Sequence, residues 1–281
     1  MSLAELARDN GLHRVGGRAS LVKYLAETWS RRDFTVTMAR YRLRSRYEQN
    51  RLGILWVVLR PVLNALVYGL IFGVLQGESR PRDYPAYVVV GVFFYEFFQG
   101  CLNDGARAIT GNRSLVQSLA FPRITLPLSV MIEKFLTFLA TLVVLVPILA
   151  FFGQYPKLEW LWIVPLIALF TLLNAGVAMI AARLTVHVSD LTQLLPFISR
   201  IIFYTSGVLF AVDKIFENHP LVRSLYDFHP LYQVLKIARF YLIHGNPYPA
   251  EYWFWLALAS VVVFVCGVVF FWSAEERYGR E

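Results

Sequence analysis

Charge is scarce in this sequence. Only 16% of the 281 residues are Asp, Glu, Lys or Arg, against 57% hydrophobic and 16% aromatic, and the mean hydropathy is +0.51. Soluble domains carry about a quarter charged residues, so a water-soluble α/β enzyme is excluded and an integral membrane protein is indicated. Lysine occurs only at Lys23, Lys134, Lys157, Lys214 and Lys236, never after a glycine. The phosphate-binding loop GxxxxGK[ST] is therefore missing, and the chain does not hydrolyse a nucleotide by that route. The histidines, at 13, 187, 219, 229 and 244, show no paired metal spacing, and HExxH, GxSxG and CxxC are absent. Cys101 and Cys266 lie far apart in apolar runs, the usual setting of inert core thiols. The first 50 residues hold no apolar core of the signal-peptide type, so no cleaved leader is expected.

Apolar length is what the chain has in abundance. A hydrocarbon core roughly 30 Å thick calls for roughly 20 apolar residues of helix. Six windows meet that need: 52–76, 86–103, 125–152, 158–182, 192–212 and 251–273. With both termini placed in the cytoplasm, 17 Lys and Arg residues fall inside and seven outside, while Arg60, Lys134 and Arg200 lie within spans. That bias obeys the positive-inside rule. The net charge of +8 is concentrated before the first span, where it meets anionic lipid headgroups instead of nucleic acid.

Residues 1–19 read as a flexible polar tail, 20–50 as a cytoplasmic helical segment and 51–281 as the membrane domain. In 20–50, Leu21, Leu25, Trp29, Phe34, Met38 and Tyr41 recur at spacings of three to five among arginines. That pattern predicts one basic amphipathic helix lying on the inner membrane surface, with Ser30 and Asp33 as a capping box. Residues 104–124 form a cytoplasmic loop long enough for one short helix. The largest external segment, 213–250, ends in a stretch that puts Leu231, Leu235, Ala238 and Leu242 on one side of a helix. Its 14 residues reach about 21 Å and cannot span, so an interfacial or re-entrant element is predicted. The expected fold is an all-α integral membrane protein of six transmembrane helices, with an N-terminal amphipathic interfacial helix and a re-entrant or periplasmic helical segment between helices 5 and 6.

Four charges break the apolar runs at a common depth. Arg60, Glu133 and Arg200 lie eight residues, and Glu96 seven, from the inner ends of their spans, which is about 10 to 12 Å of helical rise. Ionisable groups at that depth face a bundle interior or a watery cavity and pair with one another, so the four are candidates for a polar layer at a pathway's cytoplasmic mouth. The alternative is that Arg60, Glu133 and Lys134 snorkel to the interface. Trp56, Tyr68 and Phe72 on span one, with Phe197, Phe203 and Tyr204 on span five, are candidates to line the pathway with rings suited to sugar faces; otherwise they fill the core or an interfacial belt.

The stretch RYRLRSRYEQNRLGILWVVLRPVLNALVYGLIFG, 40–73, followed by six spans resembles the permease subunits of ABC transporters that export polysaccharides, the ABC-2 or Wzm-like group. The resemblance rests on Arg44 to Tyr47, Gly53 to Trp56, Arg60 to Asn64 and Leu66 to Tyr68, then on SLAFPRITLPLS at 118–129 and HPLYQVLKIARFYLIHG at 229–245. It implies a homodimer working with two copies of a separate ATPase subunit, which would hold the ATP and Mg; no cofactor is expected in this chain. It also implies a polyprenyl-diphosphate-linked polysaccharide moved across the bacterial inner membrane. A coupling helix within 104–122 would offer Arg107, Arg113, Leu115 and Phe121 to the ATPase, and Phe210, Phe216, Tyr226 and Phe228 would belong to the periplasmic gate. Arg44, Arg46 and Arg51 flank the membrane entrance and suit bidentate phosphate contacts, or else serve as positive-inside anchors. The arginine excess, with many Ala and Val, points to a galactan exporter of a GC-rich bacterium over a teichoic-acid or O-antigen exporter. Rival readings are an exporter of a drug, lipid or small oligosaccharide on the same fold, and a membrane-embedded glycan- or lipid-modifying enzyme.

Overall fold

The computed structural model describes residues 19–48, 51–75, 83–243, 246–275 and 278. The expected tail, except for Ala19, lies outside them, as do residue 76 and the loop 77–82. Regular structure among the described residues is entirely helical. The helices are α1 (Leu21–Ser30), α2 (Arg32–Glu48), α3 (Trp56–Leu75), α4 (Tyr84–Ala106), α5 (Arg113–Ser118), α6 (Thr125–Phe151), α7 (Ile163–His187), α8 (Leu191–Thr205), α9 (Val212–Ile215), α10 (Pro220–Asp227), α11 (Pro230–Leu242) and α12 (Tyr252–Trp272). Among the described residues five stretches are long and apolar enough to cross a membrane: α3, α4, α6, α7 with the 3-10 turn before it, and α12.

The predicted fifth span, 192–212, is the main departure. Its helix α8 has 15 residues, a reach of about 22 Å, and ends at Thr205. Gly207 then takes a positive φ of 73°, and 206–211 runs on without helix. Ending a helix inside an apolar layer strands carbonyl groups, which cost free energy unless they find donors. Here each one does. The buried Arg239 guanidinium donates to the Gly207 carbonyl at 2.8 Å and to that of Val208 at 2.7 Å. The hydroxyls of Tyr84 and Tyr87 donate to Leu209 and Phe210, both at 2.9 Å. Arg239 also lies over the Tyr87 ring, 3.4 Å from its centroid.

The N-terminal segment is two helices instead of the single one predicted. They meet at Arg31, whose amide still bonds Glu27 at 3.1 Å while Thr35 bonds back to Arg31 at 3.2 Å. The capping box does not form, because Ser30 Oγ donates backward to the Glu27 carbonyl at 2.8 Å. In α11 the predicted apolar side is buried, and so are Tyr232, Val234, Ile237 and Arg239; the helix packs against α4, α7 and α12.

The core centres on α4, the most enclosed of the long helices. Phe97 stacks on Phe138 of α6 at 4.8 Å and meets Phe170 of α7 edge-on at 5.4 Å. Helices α7 and α12 approach through Gly176 and Gly267, since a Cβ on Gly267 would stand 2.7 Å from the Gly176 carbonyl oxygen. Small residues at a crossing permit this intimacy, and with it the dispersion contacts that hold membrane helices together.

Candidate functional site

Three long helices enclose a polar cavity of about 320 Å³ near the end of the bundle that carries α2. Helix α3 contributes Trp56, Arg60 and Asn64; α4 contributes Glu96, Asn103 and Asp104; α6 contributes Lys134, Thr137 and Thr141. Spacings of three, four, seven or eight residues from the first member keep each set on one side of its helix. Arg46 of α2 reaches in from the end. Pro61 also lines the cavity beside Val57, whose carbonyl loses its helical donor to the proline ring. The bend-prone turn of the first span thus lies against polar space.

The cavity floor is an ion cluster. Asp104 accepts from Arg46 Nη2 at 2.8 Å and from Lys134 Nζ at 2.5 Å. Glu133, 1% exposed at its side chain, faces Arg46 Nε at 3.3 Å and Lys134 at 3.4 Å. Gly100 leaves room for the Lys134 chain, which a Cβ there would meet at 2.9 Å. Arg42 lies next to the cluster with Nε and Nη2 buried and without acceptors. Burial holds its guanidinium below the ordinary arginine value, partly opposed by attraction to Glu133. Higher in the cavity Asn64 Nδ2 donates to Glu96 at 2.7 Å. Gln99 and Asn103 reach Ser199 Oγ at 3.5 and 3.3 Å and tie α4 to α8.

Of the four charges predicted to share a layer, Arg60 and Glu96 line this cavity and Glu133 lies behind it. Their partners differ from those expected: the carboxylates engage Arg46, Lys134 and Asn64. Arg200 stands apart, exposed on α8. Lys134, Asp104 and Asn64 were not among the expected site residues, although their spacing from Thr141, Glu96 and Arg60 marks one helical side.

Of the predicted pathway aromatics, Trp56 lines the cavity and Phe72 packs on the core. Tyr68 meets Phe203 at 4.8 Å, and Phe203 meets Tyr204 at 5.5 Å, joining α3 to α8; Phe197 is exposed on α8. Arg44 and Arg51 are exposed, whereas Arg46 belongs to the ion cluster. In the 104–124 loop, Arg107 and Arg113 are exposed and Leu115 is half-buried. Phe121 is buried against Phe34 of α2 at 5.5 Å. In the long segment after α8, Phe216 stacks on Tyr226 at 5.8 Å, Phe228 meets Trp255 at 5.4 Å and Phe210 is half-buried.

A second buried junction ties together α1, the segment just before α6 and the chain just after α12. Tyr24 of α1 donates to Glu275 Oε2 at 2.7 Å and accepts from the Ile124 amide at 3.1 Å. Arg123, at the end of the loop, donates its amide to Glu275 Oε1 at 3.0 Å and adds an ion pair at 3.4 Å. Burial pushes the Glu275 carboxyl above its ordinary value, against the pull of the Tyr24 and Arg123 hydrogen bonds. Nearby, Trp272 Nε1 donates to the Ala19 carbonyl at 2.9 Å.

Comparison of the sequence with known proteins points to transporters. Residues 34–243 match the family described as ABC-2 type transporter. The chain is 28% identical to an O-antigen export system permease protein of Klebsiella pneumoniae, across 88% of this chain and 94% of that protein. It is 25% identical to an O-antigen export system permease protein of Myxococcus xanthus, across 92% and 99%. It is 22% identical to a polysialic acid transport protein of Escherichia coli, across 83% and 90%.

Proposed function

This chain belongs to the ABC-2 type transporter family, and from that premise we propose that it is the permease of a polysaccharide exporter. The cargo is a polyprenyl-diphosphate-linked glycan of the galactan, O-antigen or teichoic-acid class, carried from the cytoplasmic to the outer side of the bacterial inner membrane. The observation that carries this reading is the cavity beneath Arg60, in which arginine, lysine, amides, hydroxyls and an indole converge inside an apolar bundle. That mixture suits a sugar-phosphate and has no use as a lipid anchor. The names and chain-long similarity of the relatives support the same class of cargo.

The arrangement of the assembly follows from unpaired surfaces. Arg60 on α3 and Arg200 on α8 are both exposed among apolar neighbours such as Leu66 and Ile201. Facing lipid, each would cost about 2.5 to 3.5 kcal/mol. A second copy of the chain facing this surface across a watery conduit removes that cost, with Tyr68, Phe203 and Tyr204 in its wall. The contacts of α1 with Glu275 and of Ala19 with Trp272 hold both chain ends at one end of the bundle. Five crossings would separate them, so α8 with 206–211 is counted as the sixth. The basic end faces the cytoplasm by the positive-inside bias. There Arg107, Arg113 and α5 would receive a separate ATPase subunit, and α1 and α2 would rest on the inner leaflet with Val22 and Trp29 exposed to it. The segment 212–242 would form the outer gate.

Depletion of the protein followed by analysis of carrier-linked glycan tests the reading. Accumulation of long glycan inside the cell supports it, and the sugar composition names the polymer. Arg60→Leu, restored to depleted cells at normal protein levels, should leave export blocked. Normal export with that variant removes Arg60 from the pathway, and a purified complex without an ATPase returns the enzyme reading.

A further inference from the structure

Helix α10 is eight residues long, and none of them is buried. Isolated helices shorter than about 12 residues are marginal in water, so an apolar partner ordinarily holds such a helix in place. Its apolar side chains form one stripe: Leu221, Leu225 and, just past the helix end, Phe228 recur at spacings of four and three and are 81%, 74% and 64% exposed. The other side is polar and engaged. Arg223 pairs with Asp213 at 3.6 Å, and Asp227 accepts from the Tyr252 hydroxyl. Asp213 also holds Lys236 and accepts from the Tyr232 hydroxyl at 3.4 Å, both on α11.

The exposed stripe continues onto α12. Phe228 meets Trp255 edge-on at 5.4 Å, and beyond them Phe254, Leu258 and Val261 are exposed on a helix long and apolar enough to cross a membrane. At the same end of α12, Trp253 Nε1 donates to the Tyr248 hydroxyl at 2.8 Å, the kind of amphipathic aromatic group that marks a bilayer boundary. This end is opposite the one where Trp272 meets Ala19. The main packing partners of α12 are α7 and α11, whereas the surface given above to a second copy is formed by α3 and α8.

We propose that α10 is a lipid-contact helix, lying in the outer boundary of the bilayer with Leu221, Leu225 and Phe228 among the acyl chains, and that Asp213 passes its position to α11. Amphipathic helices of this kind sit about 5 to 10 Å into that boundary. Headgroup charge plays no part, because 212–228 carries two cations and three carboxylates, in contrast to the arginine-rich α2. The contact needs acyl chains and is indifferent to anionic lipid. Phospholipid thus becomes a structural component of the segment 212–242. That this segment is an outer gate rests on the export reading; the lipid contact does not.

Spin labels test the contact. Single cysteines replace positions 221 to 226 in turn, in the full-length protein carrying Cys266→Ala and held in phosphatidylcholine nanodiscs; Cys101 is buried and stays unlabelled. Power saturation is compared between oxygen, which dissolves among acyl chains, and a water-soluble nickel chelate. Depth should oscillate with the helical period, greatest at 221 and 225, about 5 to 10 Å into the boundary, and least at 223. Exchanging part of the phosphatidylcholine for phosphatidylglycerol should leave the depths unchanged. Leu221→Asp should bring the label at 225 into water, and Asp213→Asn should leave its depth as it was; both should raise deuterium uptake over 230–236. Nickel-accessible labels at 221 and 225, or depths that follow phosphatidylglycerol content, overturn the proposal. So does dipolar broadening between labels at 225, which would put a second copy on the stripe. Unchanged uptake over 230–236 in either variant overturns the link through Asp213. Lipid-buried labels in a protein whose depletion traps no glycan keep the contact and discard the export reading; trapped glycan with labels in water does the reverse.

Discussion

Replacing Arg239 by Met should loosen the end of α8 more than any other single side-chain change outside the ion cluster. The guanidinium is fully buried and makes three hydrogen bonds, to the carbonyls of Tyr87, Gly207 and Val208. Tyr87 lies inside α4 and keeps its helical partner, so its loss is minor. Val208 loses its one donor, and Gly207 keeps only a 3.4 Å contact from the Tyr87 hydroxyl. A buried acceptor left without a donor costs about 1 to 3 kcal/mol, so two cost about 2 to 6 kcal/mol. Removing a buried charge returns part of its desolvation penalty, which brings the expected net loss to about 2 to 4 kcal/mol. Tyr87→Phe deprives only Phe210 and should cost about 1 to 3 kcal/mol. Unfolding by sodium dodecyl sulfate in mixed micelles gives the free energy, and deuterium uptake over 206–211 locates it. A Met variant within about 1 kcal/mol of wild type, with these amides still protected, would refute the carbonyl-capture argument.

Two further perturbations probe other joints. The Glu275 carboxyl has a folded-state value above its ordinary one. Such a group stabilises the fold fully below the unfolded value and loses that contribution as pH rises through the folded one. Resistance of α1 to limited proteolysis should therefore be greatest in mild acid and fall toward neutrality. Glu275→Gln should flatten that dependence, and Tyr24→Phe, which removes a hydrogen bond favouring the carboxylate, should extend it to higher pH; a slope that survives Glu275→Gln assigns it to another group. Gly267→Leu should prevent α12 from seating on α7, because even a Cβ would overlap the Gly176 backbone. The expected outcome is loss of folded protein from the membrane fraction, while Gly111→Ala, where a Cβ meets nothing within 4 Å, leaves yield unchanged.

The class of the fold was legible because a membrane span is a one-dimensional signal: twenty apolar residues announce themselves without knowledge of neighbours. Helices α3, α4, α6, α7 and α12 end within a few residues of the windows read from sequence, and the short helices fall in the two loops that had room for them. The fifth window is helical only as far as Thr205, for a tertiary reason. Within 192–212 only Gly207, placed as a helix C-terminal glycine, hints at an end near Thr205, and the donors to the freed carbonyls come from Tyr84, Tyr87 and Arg239 elsewhere in the chain. Charges inside apolar runs are equally visible, so Arg60, Glu96 and Glu133 stand out in the sequence, but the partners the structure gives them do not. The second apolar window ends at residue 103, one residue before the carboxylate that holds Lys134, so the sequence alone places Asp104 in the loop. Arg46 reads as one among many basic residues until folding sets it against Asp104 and Glu133.

The captured carbonyls of 207–210 have a consequence for biosynthesis. Tyr84 and Tyr87 enter the membrane before α8, but Arg239 is made about thirty residues after the break it closes. While the chain is still emerging, the Val208 carbonyl lacks its donor and Gly207 has only the Tyr87 hydroxyl at 3.4 Å, so continuing the helix satisfies them better and the uninterrupted apolar window is the better conformer for insertion. The break is then expected to form only when α11 brings the Arg239 guanidinium beside α4. A nascent chain halted before residue 230 should therefore hold this segment as an ordinary span, and the same atoms that later end α8 make the maturation step dependent on the C-terminal third of the chain.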